Sequence, residues 1–379
     1  MSAGSGYDKH PRVAAGSASE ATAGWDAVAS ALARTGARVV VVEAYPGVRL
    51  EPLAERLQPD VFIDPARWLK PPAEVERMVA PDLTEDPVFG RLSGLELADF
   101  FEPGLPAVPA DGRVLVAGTG ASLVTTGDLL VYADLPRWEA QQRQRAGESG
   151  NLGADNAGGR PSALYKRAYF VDWRAADRHK RAVWPQVDFL LDTTVEAEPV
   201  LIAADVFFRA LRHTARRPFR VVPFFDPAPW GGQWMKEVCD LDREAANFGW
   251  CFDCVPEENS LRLGFGPTTV EVPAIDLVLA EPEALLGPSV RGRFGDEFPI
   301  RFDFLDTMGG GNLSLQVHPL TSYMAEHFGL GYTQDESYYL LDAAEGAVVY
   351  LGLREGVDPE AMVADLRRAD RADRDDRAD

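Results

Sequence analysis

Gln316 and His318 stand two residues apart in NLSLQVH, and Glu336 follows eighteen residues later in DESYYLL. Side chains alternate across a strand, so Ser314, Gln316 and His318 would share one face and Leu313, Leu315 and Val317 the other. Glu336, Tyr338 and Leu340 alternate in the same way. If the two strands are neighbours, an amide oxygen, an imidazole nitrogen and a carboxylate converge. That mixed donor set suits zinc or another first-row divalent ion. A polar strand face turned to solvent carries the same pattern, and the spacing alone does not separate the two.

Other reactive side chains point less clearly. Cys251 and Cys254 form a C-x-x-C pair with Cys239 upstream, and no second pair or nearby histidine completes a structural zinc set. They read as reduced thiols. Lys166, Arg167, Arg174, Arg178 and Lys180 are the densest basic run. They would either hold a phosphorylated ligand or form a solvated helix face. RVAAGSASEATAG has the strand, loop and helix layout of a phosphate-binding loop but lacks its Gly-Lys-Ser/Thr end, and Glu20 stands where phosphate would be repelled.

The elements that must position these groups change character along the chain. ARVVVVEAY, RVLVAGTG and DLLVYADLP are near-continuous apolar runs separated by helical periodicity, the pattern of a doubly wound parallel sheet. Residues 146–163 are rich in Gly and Asn and are expected to be a mobile loop. Past Arg217, short strands broken by Gly and Pro take over, among them SLRLGFG, NLSLQVH, ESYYLL and AVVYLGL, as in an antiparallel β domain. The reading is therefore a flexible start at 1–11, an α/β domain over 12–217, a β domain over 218–366 and a charged tail over 367–379, frayed as helix or disordered.

The chain has 379 residues and a formal charge of −21. Such an acidic surface repels nucleic acid and anionic membranes, so neither is expected as a partner. No apolar run approaches a membrane span and the N-terminus has no apolar signal core, which points to a cytoplasmic protein. Composition leaves the oligomeric state open.

EFPIRFDFLDTMGGGNLSLQVHP resembles the hallmark segment of class I mannose-6-phosphate isomerases, and DESYYLLDAAEGAVVYLGLREGV is similar to the segment after it. PFFDPAPWGGQWM and PAIDLVLAEPEALLGP resemble two further elements in the family's order, so the likeness runs from Phe219 to Met362. It implies a cupin-type β-sandwich holding one zinc ion, with Gln316, His318 and Glu336 matching three of four metal ligands. The implied reaction interconverts mannose 6-phosphate and fructose 6-phosphate, with the sugar phosphate as substrate. The ion would stabilise an enediolate-like intermediate while a separate base moves the proton. No residue is assigned as that base.

Departures limit the likeness. No histidine follows Glu336 to act as the fourth ligand; His327 is near but reads as helical. Asp303 stands where the family has a lysine, and Cys251 beside Trp250 stands where it has a glutamate. The sandwich is expected to be incomplete at its C-terminal end, as in a fragment or a domain finished by another chain, and activity to be reduced or lost.

GDLLVYADLPRWEAQQRQRAG resembles a segment of uridine-kinase-like phosphotransferases, within a partial likeness over Arg12 to Thr193. It implies that Asp134, Arg143 and Arg145 lie near a phosphate or nucleotide. With the loop eroded, the expectation is a kinase-like domain without phosphotransfer. The alternative to an isomerase is thus a non-catalytic sugar-phosphate or nucleotide-binding regulatory protein.

Overall fold

A computed structural model describes residues 6–376. The chain divides into two compact units, Met1–Asp335 and Glu336–Asp379.

The first unit is mixed α/β. Its strands are β1 (Val13–Gly16), β2 (Ala21–Ala23), β3 (Val39–Ala44), β4 (Val61–Ile63), β5 (Val114–Gly118), β6 (Leu129–Asp134), β7 (Phe189–Asp192), β8 (Val200–Ala203), β9 (Phe224–Asp226), β10 (Trp250–Cys254), β11 (Ser260–Phe265), β12 (Thr268–Pro273) and β13 (Phe302–Leu305). A seven-stranded sheet has the order β2-β8-β7-β6-β3-β5-β4. Its members β4, β5, β3, β6 and β7 run parallel, and β8 pairs antiparallel with both β7 and the edge strand β2. The run VVVVEA fills β3, the central parallel strand, and all six of its residues are buried. A strand covered by helices on both faces has no use for alternation, which is why the apolar run is continuous.

A second sheet joins the two ends of the unit. β1 pairs parallel with β11, Val13 opposite Leu263, and β11 turns at Gly266 into antiparallel β12. Gly266 sits at φ +58°, in the left-handed region a β-carbon disfavours. Leu261, Leu263, Phe265, Val270 and Val272 pack with Phe207, Leu211 and Trp184 in one core, so that core continues across Arg217. RVAA therefore pairs with a strand about 250 residues away and not with the parallel sheet.

A third, antiparallel sheet has the order β13-β10-β9. One face buries Cys251 against Met235 and Cys239, with Phe225 and Phe304 packed on them. On the other, Trp138, Phe224, Phe252 and Trp250 stack in a row. The guanidinium of Arg145 covers one end and the edge of Trp230 the other, so the row is closed by its own neighbours.

NLSLQVH is not a strand: residues 311–320 run without ladder pairing up to the helix Thr321–Phe328. Among the described residues of the second unit there is likewise no strand, and DESYYLL and AVVYLGL carry none. Alternation reports fitness for a pleated surface, and a strand also needs a neighbour to satisfy its backbone. The second unit's helix is Pro359–Asp376, which includes the described part of the charged tail. No helix among the described residues is long and apolar enough to cross a membrane.

Candidate functional site

In open α/β sheets, ligands bind outside the carboxyl ends of the strands where the strand order reverses. β3 is that point here, since the chain goes from it to the edge strand β4, returns to β5 beside it, and then crosses over it to β6 and β7 on the other side. A cleft of about 990 Å³ opens at the ends of β3, β4 and β5. Its walls are Pro46–Val48 after β3, Glu51 and Glu55 on the helix Glu51–Leu57, Asp64 after β4, Gly118 and Thr119 at the end of β5, and residues 150–155.

The charges of this cleft decide what it accepts. Glu51, Glu55, Asp64, Glu102 and Asp155 line it against one cation, Lys70, which lies 3.6 Å from Glu74. The turn after β3 reads Tyr-Pro-Gly-Val-Arg-Leu, without a Gly-Lys-Ser/Thr end, and Pro46 has no N–H to offer. The turn after β5 does have inward amides, but they are taken. Glu43 Oε1 accepts from the Gly120 N–H at 2.8 Å, and Oε2 accepts from both the N–H and the hydroxyl of Ser122 at 2.7 Å. The protein's own carboxylate fills the place of an anion at that turn.

The sequence reading missed Glu43. Its signal was one acid inside an otherwise apolar run. His179 Nε2 lies 2.8 Å from the Ser122 hydroxyl and 3.4 Å from Glu43 Oε2. Serine, histidine and acid are the residue types of a nucleophilic triad, but a triad needs the acid on Nδ1 and the serine on Nε2. Here both approach Nε2, which fixes a loop and does not relay a proton.

Residues 146–163, expected as a mobile loop, supply the cleft's far wall through a defined set of bonds. Asn151 and Asn156 bond reciprocally: the Asn151 N–H donates to Asn156 Oδ1 at 2.9 Å, and Asn156 Nδ2 donates to Asn151 Oδ1 at 3.0 Å. Asn151 Nδ2 donates onward to the buried Asp172 at 2.8 Å and to the Leu164 carbonyl at 3.0 Å. Asp172 closes a π-helical turn, Ala168–Asp172, between the helices Pro161–Arg167 and Trp173–Val183. Burial raises the Asp172 carboxyl above the usual range, against Arg167 and Asn151, which lower it.

Asp134, Arg143 and Arg145 do not line this cleft. Asp134 is fully buried at the end of β6 and accepts from Lys180 Nζ at 2.7 Å; the same ammonium donates to Asp276 at 2.7 Å. Burial alone would pull Lys180 down, but the two carboxylates outweigh it and hold its pKa above the ordinary lysine value. Burial pushes Asp276 well up. Arg143 donates to the carbonyls of Gly47 and Thr193 at 2.9 and 3.0 Å, tying the β3 and β7 turns together. Arg145 forms a two-pronged pair with Asp226 at 2.9 and 3.0 Å.

The basic run is spent in the same manner. Lys166 bonds the Asp86 carbonyl, Arg167 the Leu152 carbonyl, Arg174 the Glu297 carboxylate at 2.7 Å and Arg178 the Glu96 carboxylate at 3.2 Å. With Lys180 fully buried and Arg167 nearly so, the run is neither a solvated face nor an open anion site.

Gln316 and His318 are exposed in the first unit, and Glu336 is exposed in the second. His318 Nδ1 donates to the Gln334 carbonyl at 2.8 Å, and Nε2 faces Gln316 Oε1 at 3.5 Å. A carbonyl only accepts, so Nδ1 carries the hydrogen and, in the neutral ring, Nε2 presents its lone pair. Two donors thus sit side by side, but a catalytic zinc takes three protein ligands. Among the described residues, no three His, Cys, Asp or Glu side chains converge on a metal position. The pair alone supplies too few ligands for a zinc ion. His327 lies in the helix Thr321–Phe328 with its ring 4.0 Å from that of Tyr323.

A family model described as a domain of unknown function (DUF8485) matches residues 24–216, and the chain belongs to that family. The matched stretch contains β3 to β8, six of the seven strands of the large sheet, and the cleft apart from no lining residue. No curated protein matches the chain.

Proposed function

We propose that this DUF8485 family member is a small-molecule binding protein whose kinase-like α/β sheet does not transfer phosphoryl groups. The cleft at the ends of β3, β4 and β5 takes an uncharged or positively charged ligand. One observation carries the reading: five carboxylates line the cleft against Lys70, while Glu43 occupies the amides of Gly120 and Ser122. The parallel order β4-β5-β3-β6-β7 supports the doubly wound, kinase-like description. Phosphoryl transfer needs cations and N–H groups around the transferred phosphate, and this cleft offers the opposite charge. The test is calorimetry with Mg-ATP, uridine and glucosamine. Saturable heat is expected with the uncharged or cationic compounds at most, and none with Mg-ATP. Saturable Mg-ATP binding, or phosphate release from it, refutes the reading.

A second reading keeps the isomerase likeness for Phe219 to Met362, with sugar phosphate as substrate and zinc as cofactor. The observation that favours it is the Nδ1–H bond of His318 to a backbone carbonyl, which aims Nε2 at Gln316 Oε1. Elemental analysis and a fructose 6-phosphate turnover assay separate the readings. One equivalent of zinc, lost in His318→Ala together with turnover, supports the isomerase; a zinc-free, inactive protein excludes it for this chain.

A further inference from the structure

We propose that the ligand of the cleft at the ends of β3, β4 and β5 is a linear polyamine, a chain of protonated amines joined by short methylene segments. The inference rests on the reading of this cleft as a site for uncharged or cationic compounds and names the class of cation.

The hydrogen-bonding sense of the walls comes first. The carboxylates of Glu51, Glu55, Asp64, Glu102 and Asp155 only accept, and Glu43 already holds the amides at the turn after β5. Sugars, nucleosides and peptides bring acceptors of their own, which find Lys70 as the one cationic donor lining this cleft. An ammonium group brings donors alone.

The placing of the acids excludes a compact cation. They come from the helix Glu51–Leu57, the turn after β4, the chain at residue 102 and the loop at residue 155. Among the described residues no three His, Cys, Asp or Glu side chains converge on a metal position. None of the five carboxylates is in an ion pair among the described residues, and Lys70 is answered by Glu74 at 3.6 Å. A point charge meets one or two of them, whereas several ammoniums on one chain meet them in turn. Glu51 and Glu55 are four apart on one helix, so their β-carbons stand about 5–6 Å apart on the same face, the reach of three or four methylenes. Like charges at that spacing weaken the helix by themselves, and two linked ammoniums relieve the repulsion.

Much of the remaining wall is apolar. Val48, Phe62, Leu69 and Pro71 line the same cleft, and Phe62 on the short strand β4 is 46% exposed. Methylene segments lie along such surface while their charged ends reach carboxylates, as the stems of long basic side chains do. An aromatic face also attracts an ammonium directly. The volume of about 990 Å³ holds an extended chain and is far more than a single ion fills.

Isothermal titration calorimetry of the full chain with the tetraamine spermine and with butane-1,4-diamine tests the proposal. One equivalent of spermine should bind saturably, about tenfold or more tighter than the diamine. Glu51→Gln with Glu55→Gln should weaken spermine about fivefold or more, as expected when two partly exposed charge pairs are lost, and Asp155→Asn on the far wall should act in the same direction. Glu198→Gln with Glu237→Gln removes the same charge from exposed positions outside the cleft and should change affinity less than about twofold. Equal weakening by both pairs, several equivalents of spermine, or a diamine as tight as the tetraamine shows diffuse attraction to an acidic surface and overturns the proposal. Saturable heat from uridine or glucosamine with none from spermine overturns the polyamine and leaves the cleft reading standing; saturable Mg-ATP binding overturns both.

Discussion

Asp192 ends β7 with both carboxylate oxygens turned into the protein. Oδ1 accepts from the Thr194 N–H at 2.9 Å and Oδ2 from the Glu271 N–H at 2.6 Å, so this one side chain ties the large sheet to β12. Burial pushes its pKa from 3.8 up to about 7, against the bonds from Thr194 and Glu271, which lower it. Below the unfolded pKa the group is protonated in both states and takes nothing from stability. As pH rises, the unfolded chain releases the proton while the fold retains it, so stability falls until the folded pKa is passed. With 1.36 kcal/mol per pKa unit, the loss between pH 5 and pH 8 comes to about 2–3 kcal/mol. Asp192→Asn removes this titration. It also turns an amide N–H toward one of the two backbone donors, a cost of about 1 kcal/mol that does not vary with pH. The readout is therefore a difference. Urea unfolding followed by circular dichroism, at both pH values and for both proteins, should give a stability drop about 2–3 kcal/mol smaller in the variant. Equal drops would show that Asp192 titrates in the ordinary carboxylate range and that its burial does not govern the linkage.

Two further outcomes follow from the buried charges. Lys180→Met leaves Asp134 and Asp276 facing each other without a cation and should cost about 3–5 kcal/mol in the same unfolding assay, with the triple variant Lys180→Met, Asp134→Asn, Asp276→Asn recovering part of it. Asn151→Ala removes the amide that joins Asn156, Leu164 and Asp172; it should cost about 1–3 kcal/mol and speed hydrogen exchange over residues 150–156.

What could be read in advance follows from the range of each signal. VVVVEA, VLVAG and LLVYAD are local apolar runs, and they form β3, β5 and β6 side by side. The hairpin of β11 and β12 was half visible in SLRLGFG, because its turn glycine is local too. The partner of β1 was not visible, because parallel pairing with residues 260–265 leaves no mark near residue 13. NLSLQVH has the alternation of a strand, and only its lack of a neighbour in the structure distinguishes it from one.

Charge shows the same limit more sharply. Lys166 to Lys180 reads as a basic patch when only the sequence between those residues is seen, but the acceptors are Asp86, Leu152, Glu297, Glu96, Asp134 and Asp276, scattered from residue 86 to residue 297. A phosphate site requires cations left over after the fold has used its own. Here the fold uses them, and the surplus at the strand ends is acidic. The sign of a local run therefore says little about a ligand until its partners are placed, whereas a single charge inside an apolar strand says a good deal. Desolvation makes an unpaired buried carboxylate so unfavourable that Glu43 had to have donors waiting, and the nearest available were the amides at the turn after the neighbouring strand β5.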